Sequence, residues 1–102
     1  MNAELIFGEL NGGGIEISTR SYYDGISCPP NVATSTGQDA NDGIVYIQYS
    51  PSPQYDALAI IQNGEITSKY TNFMDITISN GKIMVWNKAT SSTQIVNVII
   101  FN

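Results

Sequence analysis

The sequence has no histidine, one cysteine and only four basic residues among its 102 positions. Without histidine it lacks the commonest general base, the usual partner of a serine or cysteine nucleophile and any imidazole metal ligand. Cys28 has no second cysteine to pair with, so an internal disulfide is excluded. No base is available to generate a thiolate, and we therefore expect Cys28 to be a structural thiol. The sequence predicts no catalytic residue, no metal-ligand set and no cofactor.

Positive charge and long apolar runs are also scarce. Nine carboxylates oppose the four basic side chains, for a net charge of −5, whereas a nucleic-acid-binding surface needs a basic face. No stretch approaches the ~20 apolar residues that cross a bilayer, and the N-terminal residues lack the features of a secretory signal. A catalytic carboxylate pair needs a deep cleft, but these carboxylates fall at expected turns and strand exteriors. We expect a soluble, non-enzymatic protein, made in a cytoplasm, that binds neither nucleic acid nor membrane.

What the sequence does contain is a strand pattern. Apolar and polar residues alternate between turns, and Ile, Val, Tyr and Thr are frequent, whereas no long window keeps the apolar spacing of a helix. With 42% hydrophobic and 13% charged residues the chain is too apolar for disorder. Its length suits one hydrophobic core rather than two. We predict an all-β protein with a single domain over residues 1–102.

The clearest element is a hairpin about Asn80-Gly81, since both residues of a type I′ turn need positive φ. The turn fixes the register of strands at residues 73–79 and 82–87. One face, which we predict to be core, carries Ile76, Ile78, Ile83 and Val85. The opposite face carries Met84 and Trp86, which alternation directs toward solvent or a partner.

A second hairpin is predicted about Asn63-Gly64, between residues 56–62 and 65–71. Counting outward from the turn gives the pairs on the core face, which are Ile61 with Ile66, Ala59 with Ser68, and Ala57 with Tyr70. On the opposite face the same count pairs Leu58 with Lys69 and Ile60 with Thr67. We therefore expect Tyr70 to fill the space that the two alanines leave in the core.

Further strands are predicted at residues 3–7, 14–19, 43–49 and 93–101. The segment from Arg20 to Asp42 is irregular and contains a Pro-Pro pair, so we predict an ordered loop with one short edge strand near Ile26. The stretch Asp39 to Gly43 resembles the start of a calcium loop, but it lacks the later Glu, and we predict a polar turn. About eight strands with closely spaced turns predict an antiparallel β-sandwich of the jelly-roll or immunoglobulin-like type.

The strand at residues 93–101 is apolar on both faces toward its end, which indicates a central position or cover by another chain. A domain this small buries a modest share of its surface, so docking or oligomerisation would add burial. The residues that we predict at a protein interface are Tyr22, Tyr23, Met84, Trp86, Ile95, Ile99 and Phe101. Tyr22, Tyr23, Tyr55 and Trp86 leave two other interpretations open, which are core packing and a platform for a sugar ring.

Residues 44–102 resemble the small accessory proteins of tailed-bacteriophage virions, which include capsid decoration or cement proteins and β-sandwich modules of head fibres and tails. The resemblance lies in the style of DALAIIQNGEI at 56–66 and ITISNGKIMVW at 76–86, and in a short, histidine-poor chain that ends in an apolar strand. It implies a non-enzymatic virion protein that binds the major capsid protein between subunits, reinforces the shell and forms a homo-oligomer, with a trimer favoured. The alternative is a carbohydrate-binding or receptor-binding module of a phage spike or fibre.

Overall fold

The computed structural model describes residues 19–49 and 51–102, which form two antiparallel β-sheets packed face to face. The eight strands in this part of the chain are β1 (Arg20–Cys28), β2 (Ala33–Asp39), β3 (Gly43–Gln48), β4 (Ala57–Gln62), β5 (Glu65–Tyr70), β6 (Met74–Ser79), β7 (Lys82–Asn87) and β8 (Gln94–Phe101). A short 3-10 turn, Pro53–Tyr55, precedes β4. The prediction of an all-β sandwich is confirmed. Within the same residues, no helix has the length and apolar character needed to span a membrane.

The larger sheet has the strand order β1-β8-β3-β4-β5, and the smaller has the order β2-β7-β6. The apolar C-terminal strand β8 therefore lies between β1 and β3, as its two apolar faces predict. Side chains from the facing surfaces of the two sheets form one core, in which each fully buried aliphatic side chain contributes about 1.5–3 kcal/mol. Its largest members are Ile47, Ile61, Met74, Ile76, Ile83, Val45, Val85, Val96 and Val98.

The hairpin between β6 and β7 has the predicted register. Asn80 and Gly81 have φ values of 52° and 73°, as a type I′ turn requires. Ser79 pairs with Lys82, and every pair that follows agrees with the count from the turn. The aliphatic face points into the core, where three of its four side chains are fully buried and Ile78 packs against them.

The hairpin between β4 and β5 has the predicted turn but a different register beyond it. Ile61 pairs with Ile66 as expected, but Ile60 then pairs with Ser68, so that Thr67 is an extra residue in β5. Such a β-bulge reverses the faces of the residues that follow. Tyr70 consequently lies opposite Leu58, with 68% of its surface exposed, and the prediction that it fills the core beside the alanines is wrong.

The same bulge turns Lys69 toward the smaller sheet instead of over Leu58. Its Nζ lies 2.9 Å from Oδ1 of Asp75 on β6 and donates a second hydrogen bond of 3.2 Å to the carbonyl oxygen of Ile76. Lys69 therefore links the edges of the two sheets. Burial would raise the pKa of Asp75, but hydrogen bonds from Lys69 and the Ile76 N–H, together with attraction to Lys69 and Lys88, lower it below its ordinary value.

The predicted loop from Arg20 to Asp42 is wrong, because most of this segment forms β1 and β2, although the short edge strand predicted near Ile26 lies within β1. Both are edge strands, and both contain an irregularity where a turn signal stands in the sequence. The pairing of β1 shifts at Asp24-Gly25, and that of β2 shifts between Ser35 and Asp39 around Gly37. Glycines that predict a loop here accommodate bulges within strands, which is a common feature of sheet edges.

The predicted strand at residues 3–7 and residues 14–18 of the next one lie outside the described part of the chain. Thr19 is not in a strand, and its backbone exchanges two hydrogen bonds with that of Asn102, at 2.8 and 3.1 Å. Among the described strands, β2 corresponds to no segment that the sequence predicts as a strand.

Candidate binding site on the larger sheet

The seven predicted interface residues lie in three places. Tyr23 on β1 points inward and packs against the core. Met84 and Trp86 lie on the outer face of the smaller sheet. The remaining four residues lie together on the outer face of the larger sheet, and they are Tyr22, Ile95, Ile99 and Phe101. A single contact surface cannot contain both outer faces, so the predicted set divides into two separate surfaces.

We name the four clustered side chains Tyr22, Ile95, Ile99 and Phe101 the β1–β8 patch. Tyr22 pairs directly with Ile99, which places the two side chains next to each other across the strands. Alternation along β8 places Ile95 and Phe101 on the same face as Ile99. Tyr22 is 54% exposed and Ile95 is 60% exposed, so this part of the face presents apolar surface to solvent. Within the patch, Tyr22, Ile99 and Phe101 are neighbours, whereas Asn97 stands between Ile99 and Ile95. Exposed apolar side chains that are grouped on one face mark an interaction site more often than single exposed ones do.

The polar residue within the patch already has hydrogen-bonding partners. Asn97 lies between Ile95 and Ile99 on the outward face of β8. Its Oδ1 accepts a hydrogen bond of 3.1 Å from the backbone N–H of Gly25, and its Nδ2 donates one of 3.2 Å to Gln48. The main cost of burying an amide is the loss of its hydrogen bonds to water. Asn97 already has hydrogen bonds within the protein, so covering the patch would incur little of this cost.

The outer face of the smaller sheet is more polar. Trp86 is 38% exposed and lies between Ala33 on β2 and Asp75 on β6, while Met84 is flanked by a serine and a threonine. Near one end of the face, Nζ of Lys82 contacts Oδ1 of Asp39 at 2.5 Å. Met84 and Trp86 thus form a small apolar island in polar surroundings rather than a continuous patch.

The aromatic platform considered for a sugar is not assembled from the residues proposed for it. Tyr55 packs against Tyr49 and Phe73, with ring centroids 6.4 and 5.2 Å away, at one end of the sandwich. Tyr49 in turn donates a hydrogen bond of 2.5 Å to Gln94 on β8. Tyr55 is therefore a packing residue, while Tyr22, Tyr23 and Trp86 point in three different directions.

A second group of aromatic and apolar side chains was missed by the sequence reasoning. Cross-strand pairing places one row of residues across all five strands of the larger sheet, and its members are Tyr22, Ile99, Tyr46, Leu58 and Tyr70. With neighbouring strands about 4.8 Å apart, the row is about 19 Å long. The sequence contains a pattern that could have placed Leu58 and Tyr46 on the outer face, since β3 and β4 carry apolar residues on both strand faces. No such pattern exists for Tyr70, because the bulge at Thr67 determines the face on which Tyr70 lies.

Tyr46 is held by a hydrogen bond from its hydroxyl to Oδ2 of Asp56. The other carboxylate oxygen of Asp56 accepts a bond of 2.7 Å from the backbone N–H of Tyr49. The bond to Asp56, burial and the negative charge of Asp56 raise the pKa of Tyr46 to about 12. The ring of Tyr46 therefore has a fixed orientation on the outer face.

Two groups that the sequence raised as candidates for chemistry, the Cys28 thiol and the acidic stretch before Gly43, lie within the described residues. Burial raises the pKa of the Cys28 thiol above its ordinary value, although a hydrogen bond with Thr34 acts in the opposite direction. Asp39 and Asp42 lie at a polar turn before Gly43, and Oδ1 of Asp42 accepts a hydrogen bond of 2.7 Å from the backbone N–H of Asn63. Among residues 19–49 and 51–102, no three acidic or cysteine side chains are grouped so as to hold a metal ion.

No family model matches the sequence, and no curated protein or solved structure gives a match.

Proposed function

We propose that this protein is a non-enzymatic structural component of a virion, which binds the major capsid protein between subunits through the β1–β8 patch and reinforces the shell. The observation that carries the proposal is the grouping of Tyr22, Ile95, Ile99 and Phe101 on one outer face. A few residues near the centre of an interface supply most of its binding energy, and tyrosine is enriched among them. The resemblance of residues 44–102 to phage accessory proteins supplies the identity of the partner.

The patch suits a broad protein surface better than a small molecule. Tyr22 and Ile95 are exposed on the outer face of the sheet, and Asn97 already has its hydrogen bonds within the sheet. Tyrosine contributes a large contact area at low entropic cost, because few torsions are fixed when it is buried. Exposed side chains beside a locally satisfied amide gain burial when another protein covers them.

Self-association is proposed for the opposite side of the molecule. Met84 and Trp86 lie on the smaller sheet, so a contact between copies there leaves the β1–β8 patch free for the capsid. We expect light scattering to give a homo-oligomer, with a trimer favoured, and Trp86→Ser to shift the mass toward about 11 kDa without loss of capsid binding. A wild-type protein that is monomeric at tens of micromolar would reject self-association but not capsid binding.

Capsid binding is tested by co-sedimentation with expanded empty capsids. Ile95→Asp places a charge in the patch, and Val32→Asp is the matched control, since Val32 is 48% exposed and lies between β1 and β2. We expect Ile95→Asp to weaken binding about tenfold or more, which corresponds to about 1.4 kcal/mol, and the control to change it little. Equal effects of the two substitutions, or no capsid binding by the wild type, would contradict the proposal.

A further inference from the structure

A shallow depression of about 440 Å³ lies at the other end of the larger sheet's outer face. Its lining residues are Tyr46, Gln54, Asp56, Ala57, Leu58 and Tyr70. The volume falls within the usual range for small-ligand sites, although the depression is open to solvent. It adjoins the β1–β8 patch but shares no residue with it, because β3, β4 and β5 and the turn before β4 supply its lining.

The bulge in β5 creates this depression. Without the extra residue Thr67, the count from the Asn63-Gly64 turn would pair Tyr70 with Ala57 and direct it into the core. With the bulge, Tyr70 pairs with Leu58 and stands on the outer face. Bulges often redirect one side chain at a functional position, and here the redirected side chain is the most exposed of the large apolar residues described.

The depression has an apolar floor between two aromatic walls. Leu58 on β4 forms the floor, with Tyr46 on β3 and Tyr70 on β5 on either side. The two tyrosines are two strands apart, or about 10 Å, which leaves room for one flat ring between or upon their side chains. Tyr46 is fixed by its hydrogen bond to Asp56, whereas Tyr70 is 68% exposed and free to adjust to a ligand.

Hydrogen-bonding groups surround this apolar centre. Gln54 is an exposed lining residue, and the Tyr46 hydroxyl and the Asp56 carboxylate meet in a hydrogen bond within the lining. The backbone turn that carries Gln54 is itself held, since Nδ2 of Asn72 donates a hydrogen bond of 3.3 Å to its carbonyl oxygen. A pyranose ring matches this arrangement, because it presents C–H groups on its faces and hydroxyl donors around its edge.

We infer that the depression binds a neutral pyranose ring of a glycan, with the ring stacked on Tyr70 and its hydroxyls bonded to Gln54 and Asp56. The Asp56 carboxylate disfavours acidic sugars, as does the net charge of −5. A proline or aliphatic side chain from a protein would fill the floor, but it would leave unused the acceptor positions that the Asp56 carboxylate retains beyond its bonds from Tyr46 and Tyr49. None of the lining residues belongs to the β1–β8 patch, although Tyr46 pairs with Ile99 of the patch.

The test uses the full chain on an array of neutral and acidic oligosaccharides, with proline-rich peptides printed beside them. The strongest sugar on the array is then titrated into labelled protein and followed by NMR. We expect binding to neutral sugars, with shifts centred on Gln54, Leu58 and Tyr70. Tyr70→Ala should weaken binding about tenfold or more, and Tyr70→Phe should largely preserve it because the ring is retained.

Tyr22→Ala is the matched control, since Tyr22 lies on the same sheet face at its far edge, outside the depression. It should change sugar affinity less than about twofold. Binding to proline-rich peptides alone, no binding to any array sugar, or equal losses for Tyr70→Ala and Tyr22→Ala would each overturn the inference. Loss of sugar binding by Tyr70→Ala with capsid binding retained would separate this site from the β1–β8 patch.

Discussion

Asn87 is the buried polar side chain that holds the end of β7 to β1, and its replacement gives a sharp test of the fold. Its side chain is fully buried. Nδ2 donates hydrogen bonds of 2.9 and 3.0 Å to the carbonyl oxygens of Cys28 and Ser92, and Oδ1 accepts one of 2.9 Å from the N–H of Ala89. Asn87 therefore joins the smaller sheet, the larger sheet and the loop before β8.

Asn87→Ala removes all three hydrogen bonds and leaves their backbone partners without this side chain. At about 1 kcal/mol for each bond, the expected loss is about 3 kcal/mol of unfolding free energy. That is a large part of the ~5–15 kcal/mol typical of a small protein. Asn72→Ala is the control, because Asn72 is exposed and its side chain makes one bond of 3.3 Å to a carbonyl oxygen. We expect the control to lose less than about 1 kcal/mol.

Asn87→Asp tests the direction of the same hydrogen bonds. The carboxylate keeps the acceptor for Ala89 but faces two carbonyl oxygens without a donor, so its pKa should be raised in the folded state. The variant should therefore be less stable than Asn87→Ala at neutral pH and should recover as the pH falls and the carboxyl becomes protonated. Urea denaturation at neutral and acidic pH measures all three proteins. Equal stability of Asn87→Ala and Asn72→Ala would refute this role for Asn87.

Three further predictions concern other contacts. Lys69→Met should lower stability by about 1 kcal/mol at neutral pH, since its partner Asp75 is mostly covered but Lys69 is partly exposed. Because the pKa of Asp75 is lowered in the folded protein, this difference should shrink as acid protonates the carboxyl, and a pH-independent difference in urea denaturation would contradict the pairing. In an alkaline absorbance titration Tyr46 should ionise near pH 12, and Tyr46→Phe should remove that step. The stability that comes from the hydrogen bond of Tyr46 is present below pH ~10 and is lost as the pH rises through ~12. Gly43→Ala should lower the free energy of unfolding by ~3 kcal/mol, because an added Cβ would lie 2.1 Å from a β8 carbonyl oxygen. At Gly81 an added Cβ meets no atom within 4 Å, so Gly81→Ala should cost only the ~1–2 kcal/mol of its positive φ. The reverse order of stability in thermal or urea denaturation would contradict the importance of the close approach at Gly43.

The hairpin between β6 and β7 was predictable from the sequence because local chemistry determines it. Asn80-Gly81 specifies the turn, and the aliphatic residues on either side alternate with period two. The β4–β5 hairpin has the same type of turn signal, yet its register changes after one pair of core residues. The gain from turning Lys69 toward Asp75 involves a strand of the other sheet, which the local sequence does not show.

Strands β1 and β2 were not predictable because their own residues carry a weak pattern. β2 is composed of small and polar residues with Gly37 among them, and its strand form depends on pairing with β7. A long-range bond of 2.8 Å from Thr36 to the carbonyl oxygen of Ile83 is part of that pairing. Tertiary pairing overrides local propensity most readily at sheet edges, where bulges accommodate turn-forming residues.

The candidate site was only partly predictable for a related reason. The apolar character of β8 correctly indicated residues that do not all fit in one core, and Ile95 and Ile99 lie on the outer face. Alternation within one hairpin also placed Trp86 outside the core, but it gave no information on which sheet faces the other. The predicted interface residues lie on two different outer faces because of the strand order in the two sheets. Sequence patterns do not determine that strand order.

The proposed binding of the β1–β8 patch to a capsid is tested most directly by imaging the protein on that capsid. A cryo-EM map of expanded capsids with the protein bound should place the β1–β8 patch, with Tyr22 and Ile95, against capsid subunits. Met84 and Trp86 should face neighbouring copies or solvent. A map in which the smaller sheet faces the shell and the β1–β8 patch is exposed would contradict the account.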